Sequence, residues 1–325
     1  MRPRHEFPRH GVGELFRIFT LLVCCLTLPA ISPAQENRAP AFDGRRAFSY
    51  LEAICAIGPR ISGTPGMARQ QELIERHFTA LGAEVRYQDF DVAHPETGQP
   101  VRMRNMIVSW QPQAEQRLLV CCHYDTRPRP DREPLPFQRD KPFIGANDGG
   151  SGIAVLMELG NLIAAMQPRP AVDFVFFDGE ELVYDPQDKY FLGAEHFAKS
   201  YRDRPAGSPR YEQGVLLDLV AGQNANFYYE VNSLRYAPEV TRSIWETAQR
   251  LGIKEFVARR KHEVLDDHLA LNTIAGIPTC DIIDFDYPHW HRRNDLPGAC
   301  SAATLSNVGR VIFAWLQANA KSPVN

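Results

Sequence analysis

The feature that most constrains this chain is a short, nearly apolar run that ends in a group of acids. Residues 172–177 are apolar except for Asp173 and lead through Asp178-Gly179 to Glu180 and Glu181. Such a run, closed by turn residues, is typical of a strand that is covered on both faces of a sheet. In open α/β sheets, functional groups gather beyond the carboxyl ends of these strands. A glutamate pair after a strand is usually solvated, so it becomes informative only when other polar groups reach the same edge.

Several other apolar runs also lead to polar residues, and they alternate with amphipathic segments. The predicted strands are 84–90, 105–109, 118–122, 172–177, 215–219, 227–231 and 277–283. The predicted helices are 41–57, 67–81, 153–163, 193–200, 238–251 and 304–320, with a short helical segment from 266 to 274. This alternation predicts a single α/β domain with a central, mostly parallel, twisted sheet and helices on both faces. The proline- and charge-rich stretch 127–142 is expected to be a surface loop.

Eight titratable residues follow apolar runs or glycine turns and are candidates for one site. They are His123, Asp125, Asp148, Glu180, Glu181, Asp218, Asp266 and His291. So many carboxylates at one sheet edge would repel one another unless a cation neutralised them. Histidine and carboxylate ligands without cysteine suit a catalytic zinc ion with an open coordination position. A magnesium site would do without the histidines, and no phosphate-binding motif is present.

Each group also has an ordinary structural interpretation. Asp148 could cap the helix that follows residues 149–152, and His123 with Asp125 could be a hydrogen-bonded structural pair. A serine hydrolase would need Gly-x-Ser-x-Gly, and Ser151 lies in a Gly-Gly-Ser-Gly sequence that lacks this spacing. An inactive binding module and a purely structural protein also remain open, although a structural protein would not need so many acids at strand ends.

The N-terminus has the pattern of a secretory signal. Arginines at positions 2, 4 and 9 precede the apolar residues 18–31, and small residues surround Ala34. This stretch is short for a membrane span and fits a signal peptide over residues 1–34. We therefore expect a mature catalytic domain over residues 35–325, secreted or periplasmic, with no stable membrane span after cleavage. An uncleaved anchor is the alternative.

Charge and cysteine content exclude some classes of protein. The net charge of −3 argues against a nucleic-acid-binding protein. Two of the seven cysteines, at positions 24 and 25, would leave with the signal. The odd number that remains leaves at least one thiol free or paired between chains, and the pairing is open. These five are Cys55, Cys121, Cys122, Cys280 and Cys300. No Cys-x-x-Cys spacing occurs, so a thiolate zinc site is not expected.

Six motifs, in order, resemble the zinc exopeptidase family, which contains zinc aminopeptidases and glutaminyl cyclases of the glutaminyl-peptide cyclotransferase type. They are HYD at 123–125, GANDGGSG at 145–152, DGEE at 178–181, LLDLVAG at 216–222, LDDH at 265–268 and WH at 290–291. The resemblance extends from about residue 45 to the C-terminus. It implies the α/β fold expected above and an enzyme that acts on peptide or protein N-termini. A monomer is also expected.

The resemblance also implies roles for individual residues. Asp148, Glu181 and His291 would bind zinc, and Glu180 would be the general acid and base. Asp218 and Asp266 would form a hydrogen-bonded network beside Glu180. Trp290, at the pocket wall, and His123 would contact the substrate. In two-zinc aminopeptidases, His123 and Asp218 match additional metal ligands, so one ion is expected for a cyclase and two for an aminopeptidase.

Three features favour the cyclase branch. They are the long insertion 182–191 before Gly193, the paired acids Asp266 and Asp267, and Trp290 directly before the expected ligand. Arg292, after that ligand, departs at the pocket rim from the His-Thr continuation of both branches. The resemblance therefore implies a zinc-dependent glutaminyl cyclase, which converts an N-terminal glutamine to pyroglutamate and releases ammonia. A zinc aminopeptidase is the alternative.

Overall fold

The computed structural model describes residues 41–167 and 169–319. Within them the main sheet has six strands in the order β1-β2-β4-β3-β5-β8, and β6 pairs separately with β7. The strands are β1 (Glu84–Ala93), β2 (Pro100–Trp110), β3 (Gln116–His123), β4 (Val172–Phe177), β5 (Arg210–Asp218), β6 (Phe227–Tyr229), β7 (Phe256–Arg260) and β8 (Thr279–Ile283). The helices are α1 (Gly44–Cys55), α2 (Pro65–Ala80), α3 (Gly150–Ala165), α4 (Leu192–Arg202), α5 (Val231–Tyr236), α6 (Pro238–Arg250), α7 (His268–Ala270), which continues into a π turn over Leu271–Ala275, and α8 (Ala302–Asn319).

The sheet is parallel where it carries the candidate residues. Strand β3 runs parallel to β4 and to β5, and β5 runs parallel to β8. Strand β2 pairs antiparallel with both β1 and β4, so in the described main sheet it alone runs against the other strands. The carboxyl ends of β3, β4, β5 and β8 therefore emerge at the same edge, and the predicted mostly parallel sheet is confirmed.

Both faces of the sheet are covered, which explains why β4 reads as a nearly continuous apolar run. Alternate side chains of a strand point to opposite faces. Val172, Phe174 and Phe176 enter the larger core with α1, α2, α3, α6 and α8. Val175 and Phe177 enter the smaller core with α4 and α7. The strand is thus held on both sides, and the residues that follow it are positioned by two packed layers.

The predicted strand 227–231 is wrong in its last part. Strand β6 ends at Tyr229, and α5 begins at Val231 because the Glu230 carboxylate accepts the backbone N–H groups of Asn232 and Ser233. Glutamate is not among the preferred capping residues, so the sequence gives little warning of this helix. Strand β7 was not predicted either, since three of its five residues are exposed and polar or small.

The described residues also show a capped first helix and free cysteines. Asp43 caps α1, because its side chain accepts the N–H groups of Arg45 and Arg46. All five cysteines of the described residues are buried and free of disulfides. Among the described helices, none combines the length and apolar character needed to cross a membrane. The predicted signal peptide lies outside the described residues.

Candidate active site

The candidate residues converge at the carboxyl edge of the sheet. His123 ends β3, Asp218 ends β5, and Asp148 lies just before α3. His123 Nε2 is 3.2 Å from Asp218 Oδ1 and 3.4 Å from Asp148 Oδ1. His123 Nδ1 is 3.9 Å from Oε2 of Glu180, which follows β4. The parallel strands have therefore brought together residues that are nearly one hundred positions apart in the sequence.

The three predicted zinc ligands, Asp148, Glu181 and His291, form a cluster that we call the metal-side group. His291 Nε2 is 3.7 Å from Asp148 Oδ2 and 3.5 Å from Glu181 Oε2. Two donors that share a tetrahedral zinc ion with bonds of about 2.0–2.2 Å lie about 3.3–3.6 Å apart. Both carboxylate oxygens are buried and have no hydrogen-bond partner among the described residues. The residues present therefore fit a zinc ion.

His123 is also within reach of this cluster, since donor atoms of His123, Asp148 and Glu181 lie within 4.8 Å of one another. The single nitrogen His291 Nε2 faces both carboxylate oxygens, which is the arrangement that a third donor to the same ion would have. The capping interpretation of Asp148 is wrong. The N-cap of α3 is Gly149, and among the described residues no side chain donates or accepts a capping hydrogen bond there.

Two buried aspartates fix the backbone that carries the carboxylates. Asp125 accepts the N–H groups of Glu180 and Glu181, each at 3.1 Å, through its two oxygens. Asp295 accepts the N–H groups of Asn147 at 2.8 Å and Asp148 at 3.0 Å. Asp125 was among the candidates, whereas Asp295 was missed because it lies in a loop with no local pattern.

The beginning of the loop 127–142 is part of the site: Arg127 and Glu133 are buried, whereas Asp131 and Arg132 are exposed, as expected for a surface loop. The Arg127 backbone N–H donates to Glu181 Oε1 at 2.6 Å, and its Nη2 donates to Asp131 Oδ2 at 2.9 Å. Asp131 Oδ1 is 3.0 Å from His291 Nδ1. A segment rich in proline and charged residues is usually exposed to solvent. Here Arg127 contacts Glu181, and Asp131 contacts His291. A carboxylate behind a metal-binding histidine is a general requirement, although its position in the sequence is not predictable.

Burial sets the protonation of the acids around Glu180. It raises the pKa of Glu180 well above its usual value; the charge of His123 opposes this, and Glu181, Asp266 and Asp267 add to it. Burial also raises the pKa of Asp266, with help from the charges of Asp218 and Asp267. A raised pKa makes Glu180 a stronger base than an ordinary carboxylate, which suits a group that takes up and returns a proton.

A cavity of about 460 Å³ opens onto these groups. Its lining includes five of the predicted site residues together with Trp290: Asp148, Glu180, Asp218, Asp266 and His291. Trp290 packs against Phe285, with ring centroids 4.7 Å apart. Glu181 is 1% exposed and lies beneath this surface. His123, which was predicted to contact the substrate, is 2% exposed and lies behind the carboxylates, outside the residues that line the cavity.

A second buried cluster, which we call the inner group, consists of Glu230, Asp267, His268 and Asp281. His268 Nε2 is 3.3 Å from Glu230 Oε2, and His268 Nδ1 is 3.8 Å from Asp281 Oδ2. Burial raises the pKa of Glu230, but hydrogen bonding and charge from His268 and backbone N–H groups lower it to about 2. Burial raises the pKa of Asp281 well above its usual value. Asp281 was missed because it lies within β8 between apolar neighbours.

Comparisons with known proteins agree with this geometry. The sequence profile of peptidase family M28 matches residues 105–316. The crystal structure of a glutaminyl cyclase from Fimbriiglobus ruber is 45% identical, covers 86% of this chain and 96% of its own, and has a TM-score of 0.83. A leucine aminopeptidase precursor from Bacteroides thetaiotaomicron is 30% identical over 87% of this chain and 99% of its own, with a TM-score of 0.81. A glutaminyl-peptide cyclotransferase-like protein of Bos taurus is 25% identical over 82% of this chain and 73% of its own.

Proposed function

This chain belongs to peptidase family M28, and we propose that it is a zinc-dependent glutaminyl cyclase. Its substrate would be a peptide or protein with an N-terminal glutamine, and its products a pyroglutamyl peptide and ammonia. The observation that carries this proposal is the convergence of Asp148, Glu181 and His291 close to the partly buried acid Glu180, next to a cavity that Asp148, Glu180 and His291 line. The similarity to a glutaminyl cyclase at 45% identity supports it.

Asp148, Glu181 and His291 would hold one zinc ion. When bound, this ion would polarise the γ-carbonyl group of the substrate as a Lewis acid. The chain keeps the three donors in place through Asp125, Asp295 and Asp131, which bind their backbone or their outer nitrogen.

Glu180 would transfer the proton. The α-amine nitrogen of the substrate attacks the γ-carbonyl carbon, and Glu180 accepts the proton that this nitrogen loses. As the carbon–nitrogen bond of the side-chain amide breaks, Glu180 returns the proton and ammonia leaves. The raised pKa of Glu180 suits this exchange, because a carboxylate of ordinary pKa would be a weak base towards an amine.

The remaining predicted residues would support this step. Asp266 would keep the proton affinity of Glu180 high through its charge, and the charge of Asp218 raises the pKa of Asp266 in the same way. Asp266 Oδ2 has no hydrogen-bond partner among the described residues, so these acids would act through charge and not through the predicted hydrogen-bonded network. His123 lies within hydrogen-bonding distance of Asp218. It would orient Asp218 and the Oδ1 atom of Asp148. Trp290 would form an apolar wall for the glutamine side chain.

A zinc aminopeptidase is the second candidate, and one observation favours it. His123 Nε2 lies 3.4 Å from Asp148 Oδ1 and 3.2 Å from Asp218 Oδ1, which is also the spacing of donors around a second zinc ion. The similarity to a leucine aminopeptidase precursor points the same way. In that reaction Glu180 would take a proton from the water that attacks the scissile amide.

We further propose that residues 1–34 are a signal peptide and that the mature domain, residues 35–325, is secreted or periplasmic and monomeric. Expression of the full-length chain followed by sequencing of the N-terminus tests the cleavage site. A mature protein that begins at residue 35 supports the proposal, and a protein that retains Met1 contradicts it. Light scattering gives the molar mass of the purified protein in solution and so tests whether it is a monomer.

The reaction is tested by offering the zinc-loaded protein a glutaminyl peptide and, separately, an aminoacyl anilide. Release of ammonia with no shortening of the peptide is the expected result. Release of the aniline with no ammonia would contradict the cyclase and support the aminopeptidase. An N-acetylated copy of the glutaminyl peptide is the matched control, because it lacks the nucleophilic amine and should release no ammonia.

A further inference from the structure

The proposed ligand His291 has a strained backbone. Its φ angle is +55°, in the left-handed region that favours glycine. For other residues this conformation is strained and persists only where surrounding contacts impose it. Something in the structure must therefore hold the segment around His291.

Three consecutive residues of a distant loop make those contacts. Asp131 Oδ1 lies 3.0 Å from His291 Nδ1. The Arg132 backbone N–H donates to the His291 carbonyl oxygen at 3.2 Å. The ring orientation and the backbone of His291 are thus both fixed by neighbouring residues of the same loop.

The same loop also holds the residues on either side of His291. Glu133 Oε1 accepts the backbone N–H of Arg293 at 2.7 Å. The Arg132 guanidinium lies over the Trp290 ring, 3.9 Å from its centroid. Residues 131–133, which we call the clasp, therefore contact residues 290–293 at four points from side chains and backbone.

The clasp is connected to a second proposed ligand. Arg127 donates from Nη2 to Asp131 Oδ2 at 2.9 Å, and its backbone N–H donates to Glu181 Oε1 at 2.6 Å. Glu181 and His291 are more than one hundred residues apart in the sequence. The segment from Arg127 to the clasp nevertheless contacts both of them. It is therefore placed to fix the distance between two of the three donors.

We propose that the clasp consists of positioning residues that preset His291 for zinc and so determine the zinc affinity. This proposal rests on the proposed metal site. Outer partners of metal-binding histidines fix the ring and the tautomer, and their loss typically costs about 10–100-fold in metal affinity. Asp131 lies against Nδ1, so the nitrogen that remains for the metal is Nε2, which faces Asp148 and Glu181.

The test is the zinc dissociation constant, measured by competition with a chromophoric chelator. Asp131→Ala should bind zinc about 10–100-fold more weakly than the wild type. Asp131→Asn should lie between the two, because its amide oxygen can accept from His291 Nδ1 while its NH2 group then faces the Arg127 Nη2 donor. Asp140→Ala is the matched control, since this acid of the same loop is 82% exposed at its side chain and should change nothing. A wild-type dissociation constant for Asp131→Ala would overturn the proposal.

A thermal melt separates positioning from simple structural support. The zinc-free Asp131→Ala protein should unfold near the wild-type temperature, and only its stabilisation by added zinc should shrink. An equal loss of stability with and without zinc would overturn the proposal. Glu133→Ala should also weaken zinc binding, and an unchanged affinity there would refute a three-residue clasp. If the wild-type protein itself bound no zinc, the proposed function would fail instead.

Discussion

The metal-side group and the inner group contain the same kinds of residue in the same part of the fold, yet they are built differently. In each, an imidazole lies between two buried carboxylates, at 3.5 and 3.7 Å in the first and at 3.3 and 3.8 Å in the second. His291 faces both carboxylates with one nitrogen, Nε2. His268 faces Glu230 with Nε2 and Asp281 with Nδ1, so its two nitrogens point to different acids.

This difference decides what each group can bind. Donors that converge on one point can share a metal ion, and His291 keeps its second nitrogen for Asp131. His268 instead lies between two acids and faces each of them with a different ring nitrogen. The metal-side group also opens onto the cavity, whereas Glu230, Asp267, His268 and Asp281 are outside its lining. Composition alone therefore does not identify a metal site; the direction of the donor atoms and access to the cavity do.

The largest expected effect is that of Glu180→Gln. The change should leave zinc bound but lower the turnover number about 10²–10⁴-fold, because the amide cannot carry the proton. Asp281→Asn in the inner group is the matched comparison and should retain most of the activity. Steady-state kinetics and zinc content measure both. An equal loss of turnover in Glu180→Gln and Asp281→Asn would contradict the distinction between the metal-side group and the inner group.

Asp125→Asn should have the next largest effect. Asp125 accepts the N–H groups of both Glu180 and Glu181, and an asparagine can accept only one of them through its oxygen. A displacement of the two glutamates by about 1 Å can cost up to about 10²-fold in rate. Asp203→Asn, at an exposed position, is the control. Activity equal to that of the wild type would show that the backbone of these glutamates needs no such support.

Asp267→Asn tests the protonation of the inner group. Burial raises the pKa of Asp267 to about 8, against the opposing charge of His123. The folded state therefore holds this proton more tightly than the unfolded chain does. The resulting stability is complete at acid pH and is lost as the pH rises towards about 8.

The measurement is urea unfolding of the zinc-free protein at pH 5 and pH 8. The wild type should lose free energy of unfolding over this interval, and Asp267→Asn should lose less, by on the order of 1 kcal/mol or more. If the free energy of unfolding changed equally with pH in the two proteins, Asp267 would be ionised throughout. That result would contradict a protonated Asp267 in the folded protein.

The smallest expected effect is that of Arg132→Ala. Its guanidinium stacks on Trp290 at the cavity wall, and such contacts contribute about 0.5–1 kcal/mol at exposed sites. KM for a glutaminyl peptide should therefore rise about 2–5-fold with little change in the turnover number. Arg129→Ala, in the same loop but outside the cavity lining, is the control. An unchanged KM would remove Arg132 from substrate recognition.

The parts of the fold and site that depend on local patterns were predictable. Val172–Phe177 is apolar because two cores cover it, and the polar residues that follow each parallel strand must share one edge. This logic brought His123, Asp218 and Glu180 together. His291 was a candidate from the same pattern, but its role as a metal ligand came only from the resemblance, since it lies in the loop beyond β8 and at no strand end.

The outer layer could not be predicted in the same way. Asp131 and Asp295 lie in loops, and nothing in their sequence neighbourhood shows which backbone or ring they will meet. Asp281 lies within β8, where a carboxylate gives no periodic signal of a partner. His123 was expected at the substrate, but strand β3 delivers it behind the carboxylates. Such contacts depend on tertiary packing between segments that are distant in the sequence.

The most direct test of the whole account is anomalous diffraction at the zinc absorption edge, on crystals grown with zinc. We expect one peak within about 2.0–2.2 Å of carboxylate oxygens of Asp148 and Glu181 and of His291 Nε2. A peak that lacks any of these three contacts, or zinc bound only between His268 and Asp281, would contradict the assignment of the metal-side group.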